Sequence, residues 1–258
     1  MPELDRYLDP TSALVAFGAL PAHLCGKPVL NIDKGTVSSI PVLPPDQFSI
    51  ATNTDYVLRP DGKRQAKSTW SGTGIWASLV RNFAQYAETQ DQAEFAKQRL
   101  QSANLEGSGK YEFPNPRDLS DSYAVNASFD ITQALALTGW SRVRLTALAN
   151  GFPSFWDLIS SSQREAAFPC LSLEYKKSAS LTLPQGTHVY EIPAALSSRE
   201  TFNGKTGYGP VTGQAELSGS TTLDGQTVRS ESHFRFTFSA PVCPAECRKT
   251  IVKPNPGS

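Results

Sequence analysis

The stretch QTVRSESHFRFTFS, residues 226–239, constrains the fold more than any other part of the chain. Val228, Phe234, Phe236 and Phe238 share one parity with Ser230 and Ser232, while Arg229, Glu231, His233, Arg235 and Thr237 share the other. Successive side chains of an extended chain point to opposite faces, so this is a strand with a packed face and a wet face. Such a strand needs neighbours to bury its phenylalanines, and antiparallel sheets commonly leave one face in water.

Turn chemistry supplies those neighbours. Asp224-Gly225 precedes this strand, and Pro60-Asp61-Gly62 separates two further extended runs, FSIATNTDYVL and RQAKSTWSG. Proline presets one turn angle and glycine tolerates a positive one, so both sites read as hairpins. At Gly74 the period changes to that of a helix, with Ile75, Leu79, Val80, Phe83 and Ala87 on one face. Asp91 and Glu94 have the spacing of a capping box and open a second helix through about Ser102, with Phe95 and Leu100 as its expected buried contacts. Further strands are expected in SYAVNASFDIT, WSRVRLTALA, LSLEYKKSASLTLP, THVYEIP and PVTGQAELSG, with a short aromatic-rich helical linker in SFWDLISSSQREAAFP.

The expected fold is therefore α+β. Residues 1–34 form a strand end and connector, residues 35–170 an α+β domain with two helices, and residues 171–258 an antiparallel β-sandwich-like domain. The 24 basic and 24 acidic side chains cancel, which argues against a nucleic-acid or anionic-membrane partner. No apolar run reaches the ~20 residues of a membrane span, and the acidic start Met1-Pro2-Glu3 is unlike a secretory signal.

Four cysteines are present, Cys25, Cys170, Cys243 and Cys247. The last two read as a short-loop disulfide ahead of a metal site, which would need two more ligands from a chain whose histidines are His23, His188 and His233. No cofactor is expected. A cysteine nucleophile needs a histidine to take its proton. Cys25 lies near His23 in a Pro/Gly-rich connector, a poor place for a preorganised pair, and Cys170 reads as a small buried hydrophobe. Asn203-Gly204-Lys205-Thr206 lacks the earlier glycine of a phosphate-binding loop and reads as a turn. Gly72-Thr73-Gly74 reads as a strand-to-helix turn.

One motif asks for more. Tyr7-Leu8-Asp9-Pro10-Thr11, continued by Phe17-Gly18-Ala19-Leu20-Pro21 and Gly26-Lys27-Pro28-Val29-Leu30, resembles the end of a transglutaminase-like catalytic core. In that papain-like superfamily a helix carries the Cys, a strand the His, and the next strand ends in Asp-Pro-Thr, whose Asp orients the His. The resemblance makes Asp9 the match to that orienting residue, with the Cys and His segments expected before Met1. The chain also resembles the C-terminal part of a bacterial group in which the core is flanked by β-rich domains of unknown function. Its matching features are Ile40-Pro41-Val42-Leu43-Pro44-Pro45-Asp46-Gln47-Phe48, the RPDGK turn, SGTGIWASLVRNF and LTLPQGTHVYEIP. That resemblance implies a periplasmic or cell-envelope location, in keeping with a disulfide.

The expectation is a non-catalytic accessory region that positions substrate or a partner, either the transglutaminase-like core itself or a protein or cell-wall ligand. The rival is a freestanding carbohydrate-binding or adhesive module, suggested by Trp70, Trp76, Trp140 and Trp156. A separate enzyme working through Cys25 or Cys170 is the third reading.

Overall fold

The computed structural model of the chain describes residues 7–9, 11, 13–20, 24–41, 49–149, 168–169, 172–206, 209–240 and 242–243. The element order is β1 (Pro28–Asn31), β2 (Thr36–Ser39), β3 (Ser49–Leu58), β4 (Arg64–Thr73), α1 (Ile75–Glu88), α2 (Gln92–Ser102), β5 (Gly107–Glu112) and β6 (Ser122–Ile131). It continues with β7 (Phe168–Pro169), β8 (Leu173–Thr182), β9 (Leu196–Thr206), β10 (Gly209–Asp224), β11 (Thr227–Phe238) and β12 (Val242–Cys243). An 8-stranded sheet runs in the order β5-β6-β4-β3-β8-β11-β10-β9, and β1–β2 and β7–β12 are separate two-stranded ribbons. The protein is α+β and mostly β.

The large sheet is mixed because β3 and β8 pair in parallel, from Ser49↔Glu174 to Val57↔Thr182. Its other pairings are antiparallel. Within 171–258 the strands expected at LSLEYKKSASLTLP, PVTGQAELSG and QTVRSESHFRFTFS form as β8, β10 and β11, and with β9 they lie in one sheet continuous with β3 rather than in two facing sheets. The reason is the free edge of β3, whose ladder groups need a partner as much as those of β8 do. One hydrophobic cluster accordingly spans the seam, joining Ile50, Tyr56 and Leu58 to Leu173 and Leu181.

Both turns form as their chemistry requires. Gly62 takes a φ of 80° in the β3–β4 hairpin, where Arg59 N–H donates to the Lys63 carbonyl and Asp61 accepts from Lys63 N–H. Gly225, at φ 56°, closes β10 onto β11. Asn203-Gly204-Lys205-Thr206, expected as a turn, instead ends strand β9, where Lys205 pairs with Pro210 across the ladder. The alternation of Thr201, Asn203 and Lys205 with their neighbours suits an extended edge, and the ladder with β10 holds the segment extended as far as Thr206.

Helix α1 packs on β4 and β6. Trp76, Val80, Ala84 and Ala87 are its buried apolar line, and Ile75, Leu79 and Phe83 flank it partly buried. The close approach is made at Gly72, where a Cβ would lie 2.5 Å from the Trp76 carbonyl carbon. Helix α2 is capped as expected, with Asp91 Oδ1 accepting from Ala93 and Glu94 N–H at 2.9 and 3.1 Å. Glu94 does not reach back; it turns to Lys97 at 3.4 Å. Ala96 and Leu100 are buried. Phe95 is only partly buried because it joins an aromatic cluster, 5.6 Å from Phe83 and 5.2 Å from Tyr111 between ring centres. Trp70 completes that cluster at 5.1 Å from Phe83, and such pairs add about 0.5–1.5 kcal/mol each beyond their burial.

Residues 140–149, expected as a strand, join no sheet. They cross the buried face of β3 and β4, where side chains rather than a ladder hold three of their backbone groups. Tyr56 OH donates to the Thr146 carbonyl, Tyr111 OH to the Leu148 carbonyl, and Ala149 N–H donates to Ser68 Oγ. Those partners come from non-local strands, so alternation in the segment alone could not reveal the difference. Residues 187–193, also expected as a strand, likewise join no sheet. The helical linker expected at 154–169 lies almost wholly outside the described residues.

Arg81 of α1 is fully buried. Its guanidinium donates to the carbonyls of Asp118, Ser120 and Ser122 and lies 5.2 Å over the Tyr123 ring. Burial lowers its pKa, against the favourable charge of Asp118. The loop before β6 is thus hung on one cation.

Candidate functional site

The pleat turns the buried side chains of β3 and β4 to one face of the sheet and leaves mostly polar groups on the other. On β3 the outward residues are Ala51, Asn53, Asp55 and Val57, and on β4 they are Gln65, Lys67, Thr69 and Ser71. Register carries this face across the seam: Asn53 stands beside Ser178 and Ser178 beside Glu231, while Ala51 stands beside Lys176 and Lys176 beside His233. Hydrogen bonds knit the rows together, from Ser178 Oγ to Asn53 Oδ1 at 2.8 Å, Ser180 Oγ to Asp55 Oδ1 at 2.6 Å and Thr69 Oγ1 to Asn126 Oδ1 at 2.8 Å. The twist of the sheet makes a shallow concavity of about 510 Å³ here, lined among others by Thr69, Ser71, Lys176, Ser218, Glu231 and His233.

A cross-strand charge row borders it. Arg199, Glu216, Arg235 and Glu174 succeed one another on β9, β10, β11 and β8, alternating in sign. Glu174 is the best buried of these carboxylates, with 14% of its side chain exposed; Lys176 Nζ lies 3.0 Å from one oxygen and His233 Nε2 lies 2.8 Å from the other. Burial by itself would raise the Glu174 pKa, but the hydrogen bonds and charges of Lys176 and His233 outweigh it and hold the carboxyl below its usual range. The Arg199 hydrogen bond does the same for Glu216 against the effect of burial, with the charges of Arg199, Arg235 and His233 adding to it.

A carboxylate engaged on both oxygens is an anchored charge rather than a general base with an open position. Ser218 stands opposite His233 across the β10–β11 ladder, but the histidine spends Nε2 on Glu174. The arrangement can therefore hold and orient a polar partner through donors and acceptors at known spacing. Sequence reasoning placed His233 on the wet face but could not see Glu174, because the two are brought together by a register 59 positions apart in the chain.

The residues singled out from sequence are scattered. Asp9 accepts from Thr11 N–H at 3.0 Å and from Thr11 Oγ1 at 2.7 Å, which closes a tight Asx turn. Residues 7–9, expected as a strand end, join no sheet. Cys25 is buried, and His23, Cys170 and Cys247 lie outside the described residues. Cys243 is disulfide-bonded. His188 is exposed. Trp70 and Trp76 are core residues, whereas Trp140 is 76% exposed and meets Tyr190, 80% exposed, edge-to-face at 4.2 Å. Among the described residues, no group of three or more His, Cys, Asp or Glu could hold a metal ion, and no helix is long and apolar enough to cross a membrane.

Searches against family models, curated proteins and solved structures return no match to the chain.

Proposed function

We propose that the chain is a non-catalytic binding module, an accessory region of the bacterial transglutaminase-like type, that presents the open polar face of its large sheet to a substrate or partner. One observation carries this reading: at the centre of the concavity Lys176 and His233 are held by Glu174 and Ser178 by Asn53, so its chemistry is recognition by fixed hydrogen-bonding groups. The accessory role itself rests on the Asp9 motif and the layout that resemble that group. The disulfide at Cys243 supports an oxidising, periplasmic or cell-envelope location.

The test is a titration of the full chain with peptidoglycan stem peptides and glycan strands, followed by amide chemical shifts. Binding that perturbs Lys176, Ser178 and His233 and is weakened by Lys176→Ala is expected. Turnover of a glutamine-amide substrate by the chain alone would sink the non-catalytic reading.

The exposed Trp140–Tyr190 pair favours a second reading, a carbohydrate platform, since exposed aromatic faces stack on sugar rings. In that case the same glycans quench tryptophan fluorescence and Trp140→Ala removes the response, while Lys176→Ala leaves it unchanged.

A further inference from the structure

On the opposite, buried face of the sheet lies a cavity of about 310 Å³, where the start of β4, the turn after α2 and the crossing segment 132–146 converge. Its charged lining is Arg64, Arg142 and Arg144, with Asn104 and Gln133 as neutral polar neighbours. Among the described residues, no Asp or Glu lines it. Arg142 and Arg144 are exposed at the rim. Arg64 is the floor, 4% exposed, and its Nε is buried with no hydrogen-bond partner among the described residues.

A guanidinium this deeply buried, with its Nε unpartnered among the described residues and two further arginines beside the same cavity, calls for a counter-charge. A buried charge is strongly unfavourable unless a counter-charge or a full set of hydrogen bonds compensates it, and arginine cannot escape by shedding its proton. The nearest candidate, Tyr56, does not neutralise it: burial drives the phenol pKa upward, so Tyr56 stays neutral, and its OH donates to the Thr146 carbonyl. Burial lowers the Arg64 pKa from its usual value without bringing deprotonation into reach. Three forked donors around a cavity with no acid among its described lining are the complement of an oxyanion, which guanidinium groups bind through paired N–H bonds.

We propose that this cavity binds a compact organic oxyanion, a phosphate ester or a polycarboxylate of small-molecule size, with Arg64 as its buried anchor and Arg142 and Arg144 closing on it from the rim. The volume stands at the lower end of ligand pockets, about 300 Å³, which suits a small anion rather than a polymer. The site is on the face away from the polar concavity and does not depend on the function proposed for it.

The experiment is calorimetry and thermal melting of the full chain with pyrophosphate or citrate, each at ionic strength matched with sodium chloride. Binding with a dissociation constant at or below about 1 mM is expected for at least one of them. Preference for pyrophosphate assigns a phosphoryl ligand, and preference for citrate a carboxylate. Arg142→Gln and Arg144→Gln, both at exposed positions, each weaken binding about tenfold. Arg64→Met abolishes it and, in anion-free buffer, melts no lower than the parent, because removing an unpaired buried charge does not destabilise. Failure of both anions to bind or raise the melting temperature overturns the proposal. So does unchanged binding in the Arg142→Gln/Arg144→Gln double variant. A large loss of melting temperature in Arg64→Met without anion would also overturn it, by showing that the guanidinium already has its partner within the chain.

Discussion

The two halves of the large sheet have four strands each but unequal cover. In the β5-β6-β4-β3 half, inward residues such as Trp70, Val125, Phe129 and Ile131 lie under two helices and are almost wholly excluded from water. In the β8-β11-β10-β9 half, full burial is confined to residues such as Leu173, Leu181, Phe234, Phe236 and Val211, while Leu223 and Leu196 are exposed. The same alternation of apolar and polar residues thus gives a dense core where helices follow the strands and a thinly covered layer where only more strands follow. The seam between β3 and β8 makes the second half depend on the first, since a sheet with one covered face is stabilised through its neighbours.

The contrast is broken most directly by removing one large inward residue from each half. Trp70→Ala, under α1, is expected to cost about 4 kcal/mol, and Phe236→Ala about 3 kcal/mol, by denaturant titration. Equal or reversed costs would mean that the second half is packed as tightly as the first. A single unfolding transition followed by both tryptophan fluorescence and far-UV circular dichroism is expected for the parent, because one cluster crosses the seam. Two separated transitions would instead mark the halves as independent units.

Next in size is Arg81→Met. The methionine fills the space but removes the guanidinium that donates to the carbonyls of Asp118 and Ser120, while the Ser122 carbonyl keeps Ser120 Oγ, for a loss of about 3 kcal/mol. Hydrogen exchange should localise the loosened amides to the loop before β6 and to α1, both in the first half.

How much of this could be read from the chain follows the range of the interactions. Both helices, the cap at Asp91 and the turns at Gly62 and Gly225 are local, and each forms where its residues indicate. The inward and outward faces of β11 are also local, and Phe234 and Phe236 are buried as their parity requires. The parallel pairing of β3 with β8 has no local signature: Asn53 meets Ser178 across 125 positions. The crossing segment 140–149 alternates like a strand, but Tyr56, Ser68 and Tyr111 capture its backbone from below. The Glu174–His233 contact and the Arg64 cavity are products of the same long-range assembly, which is why neither carries a motif.

A smaller effect sharpens the contrast on the wet face. Glu174 is lowered in the folded chain relative to the unfolded one, because Lys176 and His233 outweigh its burial. Its ion pairs therefore stabilise the fold at pH values above the unfolded carboxyl pKa, and that contribution is lost as the pH falls through the lowered folded value. Glu174→Gln should cost roughly 1 kcal/mol at neutral pH, with the gap in melting temperature closing in acid below about pH 4. A gap that persists in acid would show that the amide is tolerated poorly for reasons of shape rather than charge.

The smallest effect is expected at the outer edge. Arg199 on β9 is paired with Glu216, but its side chain is 68% exposed, and exposed ion pairs contribute little once salt and rotamer freedom are counted. Arg199→Ala should leave the melting temperature unchanged within error. Its consequence lies elsewhere, because β9 is the last strand of the sheet, and a sheet edge can pair with other chains. A charge on an edge strand opposes such pairing, so the variant should self-associate at lower protein concentration, as read by light scattering. Unchanged scattering with a lowered melting temperature would reverse the assignment and make the pair part of the fold rather than a guard on its edge.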